Sequence, residues 1–153
     1  MNDDVPEIHQ HPLACRLALH PVTDLPHERV LEIRERTLGR DHTRTATSLN
    51  NLAFLYHEMG DYTKAEPLFV QSREIRKRIL GEEHPDYAQS LNNLASLYHC
   101  MGEYAKAEPL FVQAKEIVRG AFGEEHQYYV HSLNNLGLLY KWMGAYAKAE
   151  PLH

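Results

Sequence analysis

The stretch SLNNLASLYHCMGEYAKAEPLFVQ, Ser90 to Gln113, is spoken almost three times over by this chain. SLNNLA begins at Ser48 and at Ser90, SLNNLG begins at Ser132, and the spacing is 42 residues each time. Residues 48–85 and 90–127 share 26 identities in 38 positions. Self-similarity at such a period marks stacked supersecondary units, each too small to bury its apolar face alone.

The pattern inside one unit sets its secondary structure. Leu49, Leu52, Ala53 and Tyr56 fall at i, i+3, i+4 and i+7, one stripe of a helix. Gly60 follows as a helix stop, and Asp61 as a cap for the next helix. The second half, YTKAEPLFVQSREIRKRIL, continues the stripe through Ala65, Leu68, Phe69, Ser72, Ile75 and Ile79. Gly81 closes it, and Pro85 stands near the first position of the following helix. The unit is therefore an antiparallel pair, helix A near 43–59 and helix B near 62–80. Pro67, Pro109 and Pro151 lie about six residues into each helix B, where a missing N–H and a steric clash predict a kink.

Composition bounds the function. The chain has 153 residues, is 43% hydrophobic and carries a net charge of −5 with histidine neutral. No apolar run approaches the roughly 18 residues of a membrane span. The opening MNDDVPEIHQHP is acidic, and LACRLAL is short and interrupted by Arg16, so no secretory signal is read. Phosphate binding needs a concentrated basic surface, which the acidic balance does not supply, so nucleic acid is excluded as a partner. Cys15 and Cys100 are too few for a disulfide framework and read as free thiols in a reducing cytoplasm.

Leu52, Ala53, Tyr56, Gly60, Tyr62, Ala65 and Phe69 resemble the tetratricopeptide repeat pattern. Their equivalents are Leu94, Ala95, Tyr98, Gly102, Tyr104, Ala107 and Phe111. The 42-residue period, with SLNNLA, AEPLF and LGEEHP, is similar to the longer repeats of kinesin light chains and their bacterial relatives. The resemblance implies an all-α, right-handed superhelical stack of antiparallel helix pairs, an α-solenoid. It further implies a role in docking a protein or peptide partner; enzyme activity and a cofactor are not expected, because no catalytic or cofactor motif is read.

The array is expected to run over 25–153, with a half repeat at 25–42, full repeats at 43–84 and 85–126, and an incomplete repeat at 127–153. ERVLEIRERTLGRDH, residues 28–42, aligns with 70–84 as a B helix without its A helix. Residues 1–24 match poorly and read as a cap. AYAKAEPLH stops about two turns into the third helix B, so the C-terminal end is expected to be truncated and open.

A helical wheel at about 100° per residue places Thr47, Asn51, Phe54 and Glu58 opposite the core stripe of helix A. In tetratricopeptide arrays that side lines the concave groove. The corresponding sets are Gln89, Asn93, Ser96 and Cys100, then His131, Asn135, Leu138 and Trp142. Asparagine stays while its neighbours change. An amide with both donor and acceptor can hold a peptide backbone whatever its sequence, and the matching asparagine does this in peptide-binding members of the family. The other reading is that it only ties one helix A to the next. Asn50, Asn92 and Asn134 lie on the flank and are expected to bond a neighbouring helix.

Arg34 and Arg76 share one position in helix B, where the third copy has Val118. Basic residues near the corresponding end help kinesin light chains bind acidic peptides, which the resemblance carries to these arginines. Glu58 opposes that preference, and a solvated surface role is the alternative. Trp142 reads either as a ligand anchor or as a residue meant to be covered by a further repeat.

Eleven histidines invite a metal reading, but His42, His84 and His126 recur once per repeat and cannot converge on one ion. They are expected to cap or pack locally. No nucleophile elbow, phosphate loop or zinc-protease motif is present. The competing functional expectation is self-association, with open ends stacking head to tail through the C-terminal face.

Overall fold

A computed structural model describes residues 24–144. The expected N-terminal cap, Pro151 and the last helix B lie outside them. Among the described residues the chain is six α-helices and no strand: α1 (Asp24–Leu38), α2 (Thr43–Glu58), α3 (Tyr62–Leu80), α4 (Pro85–Cys100), α5 (Tyr104–Phe122) and α6 (Gln127–Trp142). Each helix packs on the one before and the one after it, and α2 also touches α4 directly. That is an all-α solenoid, in which every unit is held by its neighbours.

The helix ends follow from short side-chain and glycine signals repeated at the period. Helices A start on histidine. The Nδ1 atoms of His42, His84 and His126 accept from the backbone N–H of Arg44, Asp86 and Tyr128 at 3.1, 3.0 and 3.2 Å. The imidazole thus satisfies one of the orphan donors at a helix N-terminus. Helices A stop at Gly60, Gly102 and Gly144, all with positive φ near 70–78°. At the first, Asp61 N–H reaches Tyr56 C=O at 2.9 Å and Gly60 N–H reaches His57 C=O at 3.0 Å, the paired bonds of a Schellman motif. A side chain at this φ would be strained.

Asp61 caps α3 through Lys64 N–H, whereas Glu103, one methylene longer, makes no side-chain cap on α5. Pro67 and Pro109 stand on the exposed side of α3 and α5, and both helices run through them without a break in assignment.

The core is built from the predicted stripes. Leu52, Ala53, Tyr56, Ala65, Phe69, Leu94 and Leu97 form the cluster joining α2, α3 and α4. Ala95, Ala107, Phe111, Leu136 and Leu139 repeat that arrangement among α4, α5 and α6. The alanines are fully buried and let backbones approach, while one phenylalanine per unit fills the gap between them. Burying each such phenylalanine or leucine is worth about 1.5–3 kcal/mol.

Polar ladders run beside the apolar ones. Tyr56 donates to Glu28 at 2.7 Å and Tyr98 to Glu66 at 2.8 Å, so the tyrosine of helix A clasps the preceding helix B. Burial and the Glu66 carboxylate push the Tyr98 phenol up to about 12. Ser72, fully buried, donates to the Ala46 carbonyl at 2.7 Å.

Candidate functional site

The exposed side of α2, α4 and α6 carries the candidate residues. On α2, Thr47, Asn51 and Phe54 are exposed and Glu58 is half-buried. On α4, Gln89 is exposed while Asn93 and Ser96 are half-buried. On α6, His131, Leu138 and Trp142 are exposed and Asn135 is half-buried. Phe54 at 52%, Leu138 at 47% and Trp142 at 38% are large apolar side chains left open to water on one line of helices. The Trp142 ring meets His99 edge-on at 6.5 Å.

The asparagine pairs do not behave identically. Asn93 Nδ2 donates to Asn50 Oδ1 at 2.7 Å, tying α4 to α2. The first asparagine of one repeat thus bonds the second asparagine of the next. Asn51 faces α1 instead and lines a shallow cleft with Val30, Arg34 and Ser48. At the next junction the Asn92 Oδ1 atom is buried and has no hydrogen-bond partner.

The arginines are neither ligand-facing nor fully solvated, since Arg76 is buried and Arg34 half-buried. Arg76 is only 5% exposed. Its Nη1 donates to the Asp86 carbonyl at 3.1 Å and Ser90 Oγ at 3.0 Å, with Gln89 Oε1 at 3.4 Å. Burial lowers its pKa and the Asp86 carboxylate acts against that. Arg34 makes the equivalent reach to the Arg44 carbonyl at 3.0 Å and Ser48 Oγ at 2.6 Å. Each arginine therefore stitches a helix B to the first turns of the next helix A. The serine that opens SLNNLA is its acceptor, a role that sequence reasoning missed although serine and arginine recur together at fixed spacing.

Where Val118 replaces the arginine, no such stitch forms. A cleft of about 210 Å³ opens there between α4, α5 and α6, lined in part by Asp86, Asn92, Val118, Phe122, Tyr128 and His131. Phe122, His126 and Tyr128 make an aromatic cluster at its edge, with ring centres 4.6–5.5 Å apart.

One expectation changes. Cys100, expected on the groove as a free thiol, is buried at the end of α4, and its sulfur is not free. The argument from free thiols to a reducing compartment therefore falls away. His57 is packed between Phe54 and Tyr62; burial holds its imidazole below the ordinary range, and Glu58 pulls the other way. Among the described residues, no group of three or more histidine, cysteine, aspartate or glutamate side chains is placed to hold a metal ion. No described helix is long and apolar enough to cross a membrane.

Comparison with known proteins agrees with this architecture. No curated protein matches the chain. Among solved structures, BtubC (BKLC) from P. vanneervenii superposes with a TM-score of 0.78 at 25% identity, covering 84% of this chain and 52% of that one. A kinesin light chain-like protein of Podosopora anserina with nearly identical TPR-like repeats gives 0.77 at 28% identity, covering 84% and 61%. The chain thus spans about half to three fifths of the length of these structures. The family model for the tetratricopeptide repeat matches residues 27–78, 44–114 and 86–153. The chain belongs to the tetratricopeptide repeat family, with repeats that resemble those of kinesin light chains.

Proposed function

We propose that the face shared by α2, α4 and α6 is a groove that docks an extended segment of a protein partner. The binding unit in this reading is the array over 25–153, with repeats at 43–84 and 85–126 at its centre. The carrying observation is the line of Asn51, Asn93 and Asn135 at constant spacing, interleaved with the open apolar side chains Phe54, Leu138 and Trp142. The amides suit a peptide backbone, and the variable neighbours suit particular side chains. Tetratricopeptide repeats generally mediate protein–protein interaction, and this role is binding rather than catalysis. Arg34 and Arg76 contribute by fixing helix positions.

Selection of displayed linear peptides on the whole chain, followed by calorimetry, tests the reading. Asn51→Ala and Asn135→Ala should each weaken the selected peptides by about 1–3 kcal/mol, with unfolding temperatures near the parent's. If no peptide enriches, or if these substitutions leave affinity unchanged, the groove is not the binding surface. A particle mass that rises with protein concentration in light scattering, with no peptide displacing the larger species, would favour self-association instead.

A further inference from the structure

The repeats supply their own control for the cleft beside Val118. In the preceding copy the same position is Arg76, and its guanidinium fills the space between helix B and the next helix A. In the copy before that, Arg34 makes the same bonds, beside the shallow cleft it lines with Val30, Ser48 and Asn51. At Val118 the side chain is short and apolar, and the space is an open cleft. The backbone carbonyl and serine that would receive an arginine are still there, since Tyr128 C=O and Ser132 Oγ keep the arrangement seen at Asp86 and Ser90.

What lines the cleft is suited to a cation with several donors. The Asn92 Oδ1 atom is buried without a partner, whereas its equivalent, Asn50 Oδ1, receives Asn93 at 2.7 Å. A buried acceptor left unpaired is costly, and a donor brought to it recovers that cost. Asp86 is exposed at the mouth, where its carboxylate acts on the nearby Arg76 guanidinium through space. Phe122, stacked on His126, and Tyr128 bring aromatic rings to the cleft wall, and a planar guanidinium is attracted to such rings. At about 210 Å³ the cleft takes one long side chain, since sites for drug-sized ligands run from about 300 Å³ upward.

We propose that this cleft receives an arginine side chain from the docked partner, which takes in trans the place that Arg34 and Arg76 fill in cis. The inference rests on the groove reading above and adds a charge preference to it: a basic residue opposite the α4–α6 junction. A partner segment bearing a lone acidic residue at that point would leave Asn92 Oδ1 unsatisfied and face Asp86 with like charge.

The test uses the whole chain and two capped five-residue alanine peptides, one with arginine at the centre and one with the neutral isostere citrulline. Titration is followed by nitrogen–proton NMR at the Asn92 side-chain amide and the Tyr128 backbone amide. The arginine peptide should shift both resonances and bind about tenfold more tightly than its citrulline twin. Asp86→Asn should remove most of that difference, and Val118→Arg should abolish the response by filling the cleft from within. Asp86→Asn removes an exposed charge and keeps the backbone carbonyl that Arg76 bonds, so the test stands even where Val118→Arg disturbs folding. Equal binding of the two peptides, or an unchanged preference in Asp86→Asn, overturns the assignment. Displayed peptides that bind the groove with no enrichment of arginine would overturn it while leaving the groove reading intact. Arginine binding here without any selected groove peptide would do the reverse.

Discussion

Replacing Arg76 with valine would ask this junction to do what the next one already does. Arg76 Nη1 carries two hydrogens, so of its three neighbours only the Asp86 carbonyl at 3.1 Å and Ser90 Oγ at 3.0 Å count as full bonds. Two bonds from a charged donor are worth about 3–6 kcal/mol taken by themselves. Removing the guanidinium from water offsets a large part of that, because the group is almost fully buried with no carboxylate bonded to it. Valine also gives up part of the packed stem, about 0.8 kcal/mol for each buried methylene lost. The balance is a loss of about 2 kcal/mol, or about 7 °C in midpoint for a domain of this size. Thermal unfolding followed by circular dichroism reads it. A cycle with Ser90→Ala should show a coupling of about 1 kcal/mol between the two side chains. The reciprocal change, Val118→Arg, should raise the midpoint if Tyr128 C=O and Ser132 Oγ accept the new donor. An Arg76→Val midpoint within about 2 °C of the parent, with no coupling to Ser90, would show that desolvation cancels the stitch and that the reasoning fails.

Three further outcomes are expected. His84→Ala should cost about 1 kcal/mol by uncapping α4, while His84→Ser should keep most of it; equal loss in both, measured by chemical denaturation, would deny the imidazole its capping role. The Tyr98 phenol is raised from 10 to about 12 in the folded chain, so the folded state holds its proton where the unfolded state has released it. Its contribution is therefore complete below pH 10 and is lost as pH rises to about 12; Tyr98→Phe should flatten that decline in midpoint, and an unaltered slope would contradict the assignment. Asn93→Ala should lower both stability and peptide affinity, because its amide also holds Asn50, whereas Asn51→Ala should lower affinity alone; calorimetry and melting curves on the two variants separate these effects.

The fold was legible because the chain repeats itself. A single stripe of Leu52, Ala53, Tyr56, Ala65 and Phe69 is ambiguous, but its return at Leu94, Ala95, Tyr98, Ala107 and Phe111 leaves little but paired helices. Helix ends were equally readable, since Gly60 and Gly102 stand where only a left-handed stop suits the pattern.

The fate of individual polar groups was less accessible. A sequence pattern treats one helix at a time, so it left Arg76 as a ligand-facing or solvated residue, whereas the neighbouring α4 buries it. It also left open whether Asn93 faces the groove or ties one helix A to the next, and Asn50 of α2 captures its donor. Those outcomes depend on inter-helix distances that no periodicity encodes. The cleft at Val118 lay between these cases. Its signal, one valine where two arginines are expected, was visible in the sequence, but its meaning needed the serine and carbonyl acceptors in three dimensions. Cys100 shows the opposite limit, because the sequence around one cysteine says nothing about whether its thiol is free.

The bond between Asn93 and Asn50 spans successive A helices on the face away from the B helices, and it has no counterpart at Asn92. Mechanically, the array is a row of stiff struts joined along one edge by latches, and one latch is undone. Bending an elastic stack concentrates at its most compliant joint, so the curvature of this one should change chiefly between α4 and α6. A segment gripped there would act as the missing fastener, and holding it would stiffen the row as a whole.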